Sequence, residues 1–279
     1  MYSESDVTAV ICTWNMEDTI EECLISLKNN NIGSIILVDA SSKDKTREIA
    51  IKYVNKILTD PLQGLAVARN IGIEQVNTKL VLNWGADNVM PKEFLKSFLI
   101  NLSKEYAGIS AQTYLKNTNN YFSKAMNIYK KARYFPGDRK VIGTPTLFET
   151  TLLQKNKYDS QMTHSDDGDL CMRLLKQGYK FKITNLYVYE IGFETISSIV
   201  ERWKRYGKSD WETYSKYSKQ WSISRKLKSL IYPFINEFKN PLFKVKLVEK
   251  FYIFPFVLLI TIIRYLSWIK YSIKENFEN

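Results

Sequence analysis

Residues 7–27 read VTAVICTWNMEDTIEECLISL, and the change of period inside this stretch decides the fold class. Residues 7–12 form a short apolar run of the kind that a parallel strand covered on both faces requires. Over residues 18–27 the apolar positions Ile20, Cys23, Leu24 and Leu27 fall at i, i+3, i+4 and i+7, one stripe of a helix. The pattern then repeats. Residues 35–38 predict a strand, and Thr46, Ile49, Ala50 and Tyr53 mark the helix after it. Residues 65–76 predict a helix, 79–84 a strand, and Phe94, Leu95, Phe98, Leu99 and Leu102 another helix. Alternation at this spacing predicts an α/β fold built on an open, mostly parallel sheet flanked by helices. Residues 107–160 mix aromatic and polar runs without a clear period. Ser165 then stands as the N-cap of a helix opened by Asp166, Asp167 and Asp169 and closed by Gly178.

Length and charge bound the rest. The 279 residues allow one large domain, or one domain with an appendage. At 45% hydrophobic and 25% charged residues the chain reads as globular, which excludes disordered and collagenous classes. The net charge of +11 is uneven: residues 200–279 hold 16 Lys+Arg against 7 Asp+Glu, and residues 1–199 hold 24 against 22. A basic tail suits nucleic acid or an anionic membrane surface. This tail also contains FYIFPFVLLITII at 251–263, ended by Arg264 and set among Trp and Tyr. Nucleic acid would not require that run, so a membrane surface is the expected partner and no nucleic acid is expected. The run falls short of the roughly 20 apolar residues of a bilayer span. An interfacial or re-entrant segment is therefore expected, with a buried core helix as the alternative. Cys12, Cys23 and Cys171 show no CxxC spacing, which argues against a disulfide framework or zinc site and fits a reducing cytosol. Residues 1–6 carry no basic-then-apolar signal pattern, so a cytoplasmic chain is expected.

Ligands of open α/β sheets bind beyond the C-terminal strand ends, and polar residues stand at those ends here. They are Thr13-Trp14-Asn15, Asp39-Ala40-Ser41-Ser42 and Gly85-Ala86-Asp87. In VDASSKDKT (38–46) Asp39 can hydrogen-bond a base or ribose, or simply form an Asx-turn before a helix cap. In GLAVARNIGIEQV (64–76) Arg69 offers a phosphate a rigid fork of donors, although a surface arginine is commonly just solvated. VLNWGADNVMP (81–91) places one carboxylate, Asp87, in a tight turn after a strand, a position for a metal or phosphate. SDDGDL (165–170) puts Asp166 and Asp169 on one helical face with Asp167 turned about 100° away. A generously capped helix is the plain alternative.

Together and in this order, these stretches closely resemble family 2 glycosyltransferases of the GT-A fold, over residues 7 to about 208. The resemblance rests on ICTWNMEDTIEECLISL, VDASSKDKT, GLAVARNIGI, VLNWGADNVMP, SDDGDLCMRLLKQGY and, more loosely, RWKRYGKS. It implies that Thr13, Asn15, Glu17 and Asp39 surround the nucleoside of a sugar-nucleotide donor, a UDP-sugar being the first expectation. It implies that Arg69 and Asn70 line the nucleotide pocket and that Ala86 and Asp87 meet the diphosphate. Asp87 matches the last acid of the family's Asp-x-Asp turn, which holds Mg²⁺ or Mn²⁺. Asp166-Asp167 stand where the family has Glu-Asp, whose second acid is the general base. Arg202 and Arg205 match a basic helix near the diphosphate or acceptor. Three positions depart from the pattern: Gly85 replaces the first acid of Asp-x-Asp, Ala40 an acid common after Asp39, and Glu190 a metal-binding His. The metal would then rest on Asp87, the diphosphate, waters and Asn88 or Glu190. The only histidine, His164, reads as a solvated or acceptor-contacting loop residue.

The expected function is inverting transfer of a hexosyl or N-acetylhexosaminyl group to a lipid-linked or glycan acceptor. The expected place is the cytoplasmic face of the membrane, with peripheral or monotopic attachment. Residues 1–208 would form the glycosyltransferase domain and 209–279 a basic, amphipathic, membrane-associating region. Asp166 and Asp169 are expected to raise the pKa of Asp167. A donor-binding scaffold that no longer catalyses is the alternative: Gly85 and Glu190 favour it, and the intact SDDGDL and Arg69-Asn70 oppose it. A nucleotidyltransferase would need a Gly-rich, basic loop after the first strand, and CTWNMED (12–18) is not one.

Overall fold

A computed structural model describes residues 2–162, 165–192 and 195–278, with the side chains of 275–278 left aside. In chain order the elements are β1 (Val7–Thr13), α1 (Ile20–Lys28), β2 (Ser34–Asp39), α2 (Thr46–Ala50), β3 (Lys56–Thr59), α3 (Leu65–Glu74), β4 (Leu80–Gly85), β5 (Asn88–Val89), α4 (Phe94–Ile100) and β6 (Tyr106–Leu115). There follow α5 (Tyr121–Arg133), β7 (Gly137–Arg139), β8 (Thr146–Glu149), α6 (Thr150–Lys155), α7 (Asp166–Lys176), β9 (Lys180–Glu190), α8 (Ile196–Tyr217), α9 (Ile223–Pro233), α10 (Asn240–Lys244) and α11 (Leu247–Glu278). They form two compact units, Met1–Tyr114 with Pro136–Ile191 and Leu115–Phe135 with Gly192–Asn279.

The first unit is a sheet ordered β3-β2-β1-β4-β8-β6-β9-β5, with β7 on β9. The parallel part is β3-β2-β1-β4, as the alternating periods predict. Beyond β4 the direction changes: β8 runs antiparallel to β4 and to β6, and β9 antiparallel to β5 and β7. The sheet is therefore mixed rather than mostly parallel. Its antiparallel half comes largely from 107–160, where burial of most of β6 on both faces removes the alternation that marks a half-exposed strand. Register aligns the working ends, since Thr13 pairs with Asp39 and Cys12 with Gly85. Helix α3 lies close on this sheet because Gly72 has no side chain: a Cβ there would sit 2.4 Å from Val10 Cγ1. On the other face Leu24 and Leu27 of α1 and Leu95 and Phe98 of α4 pack with β1 and β4 in one apolar core.

The second unit is helical. Tyr129 of α5, Trp203 of α8 and Ile253, Phe256, Val257 and Ile260 of α11 share its core. A boundary at residue 208 would fall inside α8, which runs unbroken along α11. The two helices approach until a Cβ on Gly207 would meet Arg264 O at 2.2 Å.

The apolar run near the C-terminus is longer than its residues 251–263 imply. It lies within one continuous helix, and Leu247–Lys274 is long and apolar enough to cross a membrane by length and composition. The expectation that it is too short fails because Arg264 does not interrupt it. That side chain turns inward, donates to both Asp210 oxygens at 2.6 and 2.7 Å, and pairs with Glu237 at 2.5 Å. One face of α11 is core, as in the alternative reading; the other is exposed.

Candidate functional site

The loops after β1 and β2 are sewn together by side chains. Asn15, at φ +50°, donates its N–H to Ser42 Oγ, and its Oδ1 accepts from Lys43 N at 2.9 Å. Glu17 N donates to Asp44 at 3.1 Å, and Lys45 N donates to Glu17 at 3.0 Å. Asp39 is fully buried and accepts from Ser42 Oγ (2.6 Å), Ser42 N (3.1 Å) and Arg47 (3.4 Å). Asp39 thus makes a local bond to the backbone three residues on, not the two of an Asx-turn, and this fixes the carboxylate at a strand end. Thr13 Oγ1, beside it, is buried with no hydrogen-bond partner among the described residues. A buried hydroxyl of this kind calls for a partner, a water or a ligand.

The acid turn lies at the end of β4. Its shape is set from below: Thr19 Oγ1 donates to Ala86 O at 3.1 Å, Cys23 Sγ to Gly85 O, and Trp84 Nε1 to Asn88 O at 3.2 Å. Ile191 N donates to Asp87 O at 2.8 Å, and β5 pairs Asn88 with Glu190 in register. Glu190, at the family's histidine position, is therefore opposite the turn, buried to 6% exposure. A Cβ on Gly85 would meet Asn88 Oδ1 at 2.5 Å and Asp87 Oδ1 at 2.7 Å. An acid at this position would need the ends of those two side chains to move aside. Among the described residues no three His, Cys, Asp or Glu converge as a metal cage. The oxygens of Asp87 and Asn88 still suit a hard cation such as Mg²⁺, which keeps its waters and takes one or two carboxylates plus substrate phosphates.

A third group stands at α7. Ser165 is at the N-cap position, and Gly178 (φ +88°) ends the helix with Gly178 N to Leu175 O and Tyr179 N to Leu174 O. Asp166 and Asp169 are buried on one face, and Asp167 keeps a quarter of its side chain exposed. Arg69 of α3 reaches this helix: Nη1 donates to Asp166 at 2.5 Å and to Asp167 Oδ1 at 3.0 Å, and Nη2 to Thr144 Oγ1 at 2.8 Å. Its guanidinium lies 5.1 Å from the centre of the Tyr158 ring. Tyr158 donates its hydroxyl to the same Asp167 Oδ1 at 3.4 Å and accepts from Asn83 Nδ2 at 3.0 Å. Asn70 grips Tyr158 by its backbone, donating to its O and accepting from its N. Both bonds to the Asp167 carboxylate fall on Oδ1. Among the described residues Oδ2 takes none, and it faces the bare Cα of Gly143, whose Cβ would lie 3.6 Å from it.

Electrostatics follow from that packing. Burial pushes the Asp167 carboxyl up, Arg69 pulls it back, and Asp166 pushes again, leaving it at about 6. The expected direction holds, but burial is the main cause. Asp169 has turned away to Arg173, 2.7 Å off. Burial disfavours the charge on Arg69, yet Asp166 and Asp167 outweigh it and hold the guanidinium well above its ordinary pKa. The arrangement provides a carboxylate with a raised pKa of about 6, one oxygen held and the other without a hydrogen bond among the described residues, a form suited to taking a proton from a hydroxyl.

The structure thus joins Thr13, Asn15, Glu17 and Asp39 in one loop pair, Ala86 and Asp87 in the turn, and Arg69, Asn70, Asp166 and Asp167 around Tyr158. Arg202 and Arg205 lie on α8 of the second unit, where Arg205 is exposed. His164 lies outside the described residues. Sequence reasoning missed Tyr158, Thr144 and Asn83. Only Asn83 left a signal, a lone amide in an apolar strand, where a buried polar group is the informative residue.

Residues 8–177 match the model of the family described as Glycosyl transferase family 2. The putative glycosyltransferase EpsH of Bacillus subtilis is 23% identical over 230 residues, 71% of this chain and 64% of EpsH. The cholesterol galactosyltransferase of Borreliella burgdorferi is 25% identical over 216 residues, 66% of this chain and 59% of the relative. The match therefore spans less than two thirds of either relative. The mannosyltransferase PcManGT from Pyrobaculum calidifontis, solved with GDP-Man and Mn²⁺, shares the fold at a TM-score of 0.63 and 14% identity, covering 94% of this chain and 87% of that one. The matched residues run from β1 through α7 and carry the joined loops after β1 and β2, the acid turn and the Arg69–Asp167 cluster, and on that span the chain belongs to glycosyl transferase family 2.

Proposed function

We propose that the chain is an inverting glycosyltransferase that moves a hexosyl or N-acetylhexosaminyl group from a nucleoside-diphosphate sugar to a lipid-linked or glycan acceptor at the cytoplasmic face of a membrane. The observation that carries this is Asp167, held through Oδ1 by Arg69 and Tyr158 with Oδ2 presented. In this reading Oδ2 takes the proton of the acceptor hydroxyl as its oxygen attacks the anomeric carbon, a step that a positioned base accelerates by about 10²–10⁴. Thr13, Asn15, Glu17 and Asp39 hold the nucleoside, with the orphaned Thr13 hydroxyl gaining a partner there. A divalent cation held by Asp87 and the diphosphate would neutralise charge on the departing nucleotide. The Mn²⁺ in the PcManGT complex supports that cation, and its GDP-Man makes guanine a rival to the first expectation of uracil. The family resemblance also assigns Arg202 and Arg205 to the diphosphate or acceptor. The likeness to a cholesterol galactosyltransferase supports a lipid acceptor, and the +9 charge of residues 200–279 supports a membrane surface. The first unit would carry the donor and the chemistry, and the helical unit, which includes 209–279, the attachment.

Asp167→Asn is expected to cut transfer by at least about 10²-fold while donor binding persists. Radiolabelled-sugar transfer and nucleotide-induced thermal shift measure the two, and turnover like wild type would remove Asp167 as the base. A panel of UDP-, GDP- and dTDP-sugars with and without Mn²⁺ identifies base and metal together. Gly85 and Glu190 favour a second reading, donor binding without transfer. Slow donor hydrolysis by the wild type, lost in Asp167→Asn, would exclude it.

A further inference from the structure

The helical unit exposes an unusual amount of apolar surface in two stripes. On α11, Phe251, Phe254, Leu258, Ile262, Leu266 and Ile269 are exposed at spacings of three and four, with Phe251 at 75% and Leu266 at 62%. That stripe is about 27 Å long at 1.5 Å per residue, and its only charged residue between 251 and 269, Arg264, is buried on the opposite face. On α9, Ile223, Leu227 and Ile231, with Phe234 just beyond its end, repeat the pattern, with Ile223 at 78%. Contiguous apolar patches of this size mark a surface that is covered in use.

Two observations choose what covers it. Cations flank the stripes: Lys246 and Lys250, with Glu249 between them, precede the α11 stripe, Lys270 and Lys274 follow it ahead of Glu275 and Glu278, and Arg225, Lys226 and Lys228 sit within α9 with no acid. A second copy would bring like charge against like charge, whereas anionic headgroups are complementary to it. The packing of α11 then decides its attitude. Its other face is closed against α8, where Gly207 meets Arg264 O and Ser267 Oγ donates to Lys204 O at 2.6 Å. Helix α8 carries Glu201, Lys204 and Arg205 on its exposed side. A spanning α11 would draw those charges into hydrocarbon, where each is strongly disfavoured.

We propose that α11, although long enough to span, lies in the plane of an anionic lipid bilayer, its Phe251-to-Ile269 stripe and the apolar face of α9 seated at the headgroup–acyl boundary and its Lys residues on the headgroups. This deepens the membrane reading of the proposed function and rests on it, but it does not depend on the sugar, the donor or the chemistry. Apolar faces of amphipathic helices seat in this way, with cationic residues at the lipid surface.

The test uses the full chain and vesicles of phosphatidylcholine with and without phosphatidylglycerol. Wild type is expected to float with the anionic vesicles, and Leu258→Glu or Ile262→Glu to weaken partition by roughly tenfold or more, each burying one large aliphatic side chain. Lys246→Glu and Lys270→Glu, which leave the apolar face intact, are expected to weaken it several-fold. Circular dichroism of each variant matching wild type shows that the fold is kept. Lys246→Cys and Lys270→Cys, bound to sealed vesicles, are both expected to react with a membrane-impermeant maleimide added outside. Protection of one thiol and not the other would mean a span and overturn the in-plane placement. Unchanged flotation of the glutamate variants would overturn the assigned surface. Failure of the wild type to float at all would instead remove the membrane reading itself, and loss of self-association in the glutamate variants without flotation would give the surface to a second copy.

Discussion

At the scale of single residues, the proposed chemistry turns on the uneven holding of Asp167. Arg69 and Tyr158 both fix Oδ1, and the carboxyl titrates at about 6. A base works only when ionised, so kcat/KM is expected to fall about tenfold per pH unit below 6 and to level off above it. Tyr158→Phe removes a hydrogen bond that lowers this pKa, so its acid limb should move to higher pH while the alkaline plateau changes little. An unmoved limb would leave Tyr158 a packing residue only. The same raised pKa has a stability consequence. A carboxyl whose folded pKa lies above its ordinary 3.8 stabilises the fold while protonated, and this contribution is lost as pH rises through about 6. Asp167→Asn should accordingly melt above wild type at pH 8, with the difference vanishing toward pH 4. Differential scanning calorimetry at the two pH values reads this directly.

At the scale of elements, what was legible in the sequence was what local pattern controls. The strand and helix periods of the first 100 residues were clear because β1, β2 and β4 are apolar on both faces and the helices between them carry one stripe each. The polar strand ends were clear for the same reason. The antiparallel strands were not, since β6 is buried on both faces and β8 has only four residues. Tyr158 was hidden because its role depends on Asn70 and Asn83, more than 70 residues away, and on Asp167, which lies nine residues on across an irregular stretch. Gly85 shows the limit from the opposite direction. Read by position it is a lost acid; in the fold the side-chain oxygens of Asp87 and Asn88 lie where its Cβ would be. Gly85→Asp is thus expected not to restore an Asp-x-Asp site but to push those two oxygens apart and weaken donor binding in Mn²⁺. Gly85→Ala should do the same with no added charge. Isothermal titration of nucleotide with and without Mn²⁺ compares them, and tighter metal-dependent binding by Gly85→Asp would reverse the argument.

At the scale of the molecule, the second unit places a charge network inside apolar helices. Glu237, at 1% exposure, receives Arg264, Trp203 Nε1 at 3.3 Å and the Tyr129 hydroxyl, and Arg264 also holds Asp210. Breaking such a network at one partner leaves the other charges buried, which costs about 3–5 kcal/mol, whereas replacing the set together costs far less. Arg264→Met is expected to lower the stability of this unit by about that amount, and Arg264→Met with Glu237→Gln and Asp210→Asn to recover much of it. Trp203, Trp211, Trp221 and Trp268 lie in this unit and Trp14 and Trp84 in the first, so tryptophan fluorescence in urea reports mainly the helical unit. The same core changes how attachment can be tested. Cutting the chain before about residue 225 would remove Ile253, Phe256, Val257 and Ile260 from that core, so a truncated chain would report unfolding rather than release from lipid. Equal destabilisation by the single and the triple replacement would mean that Arg264 serves packing alone and that its charge could be dispensed with.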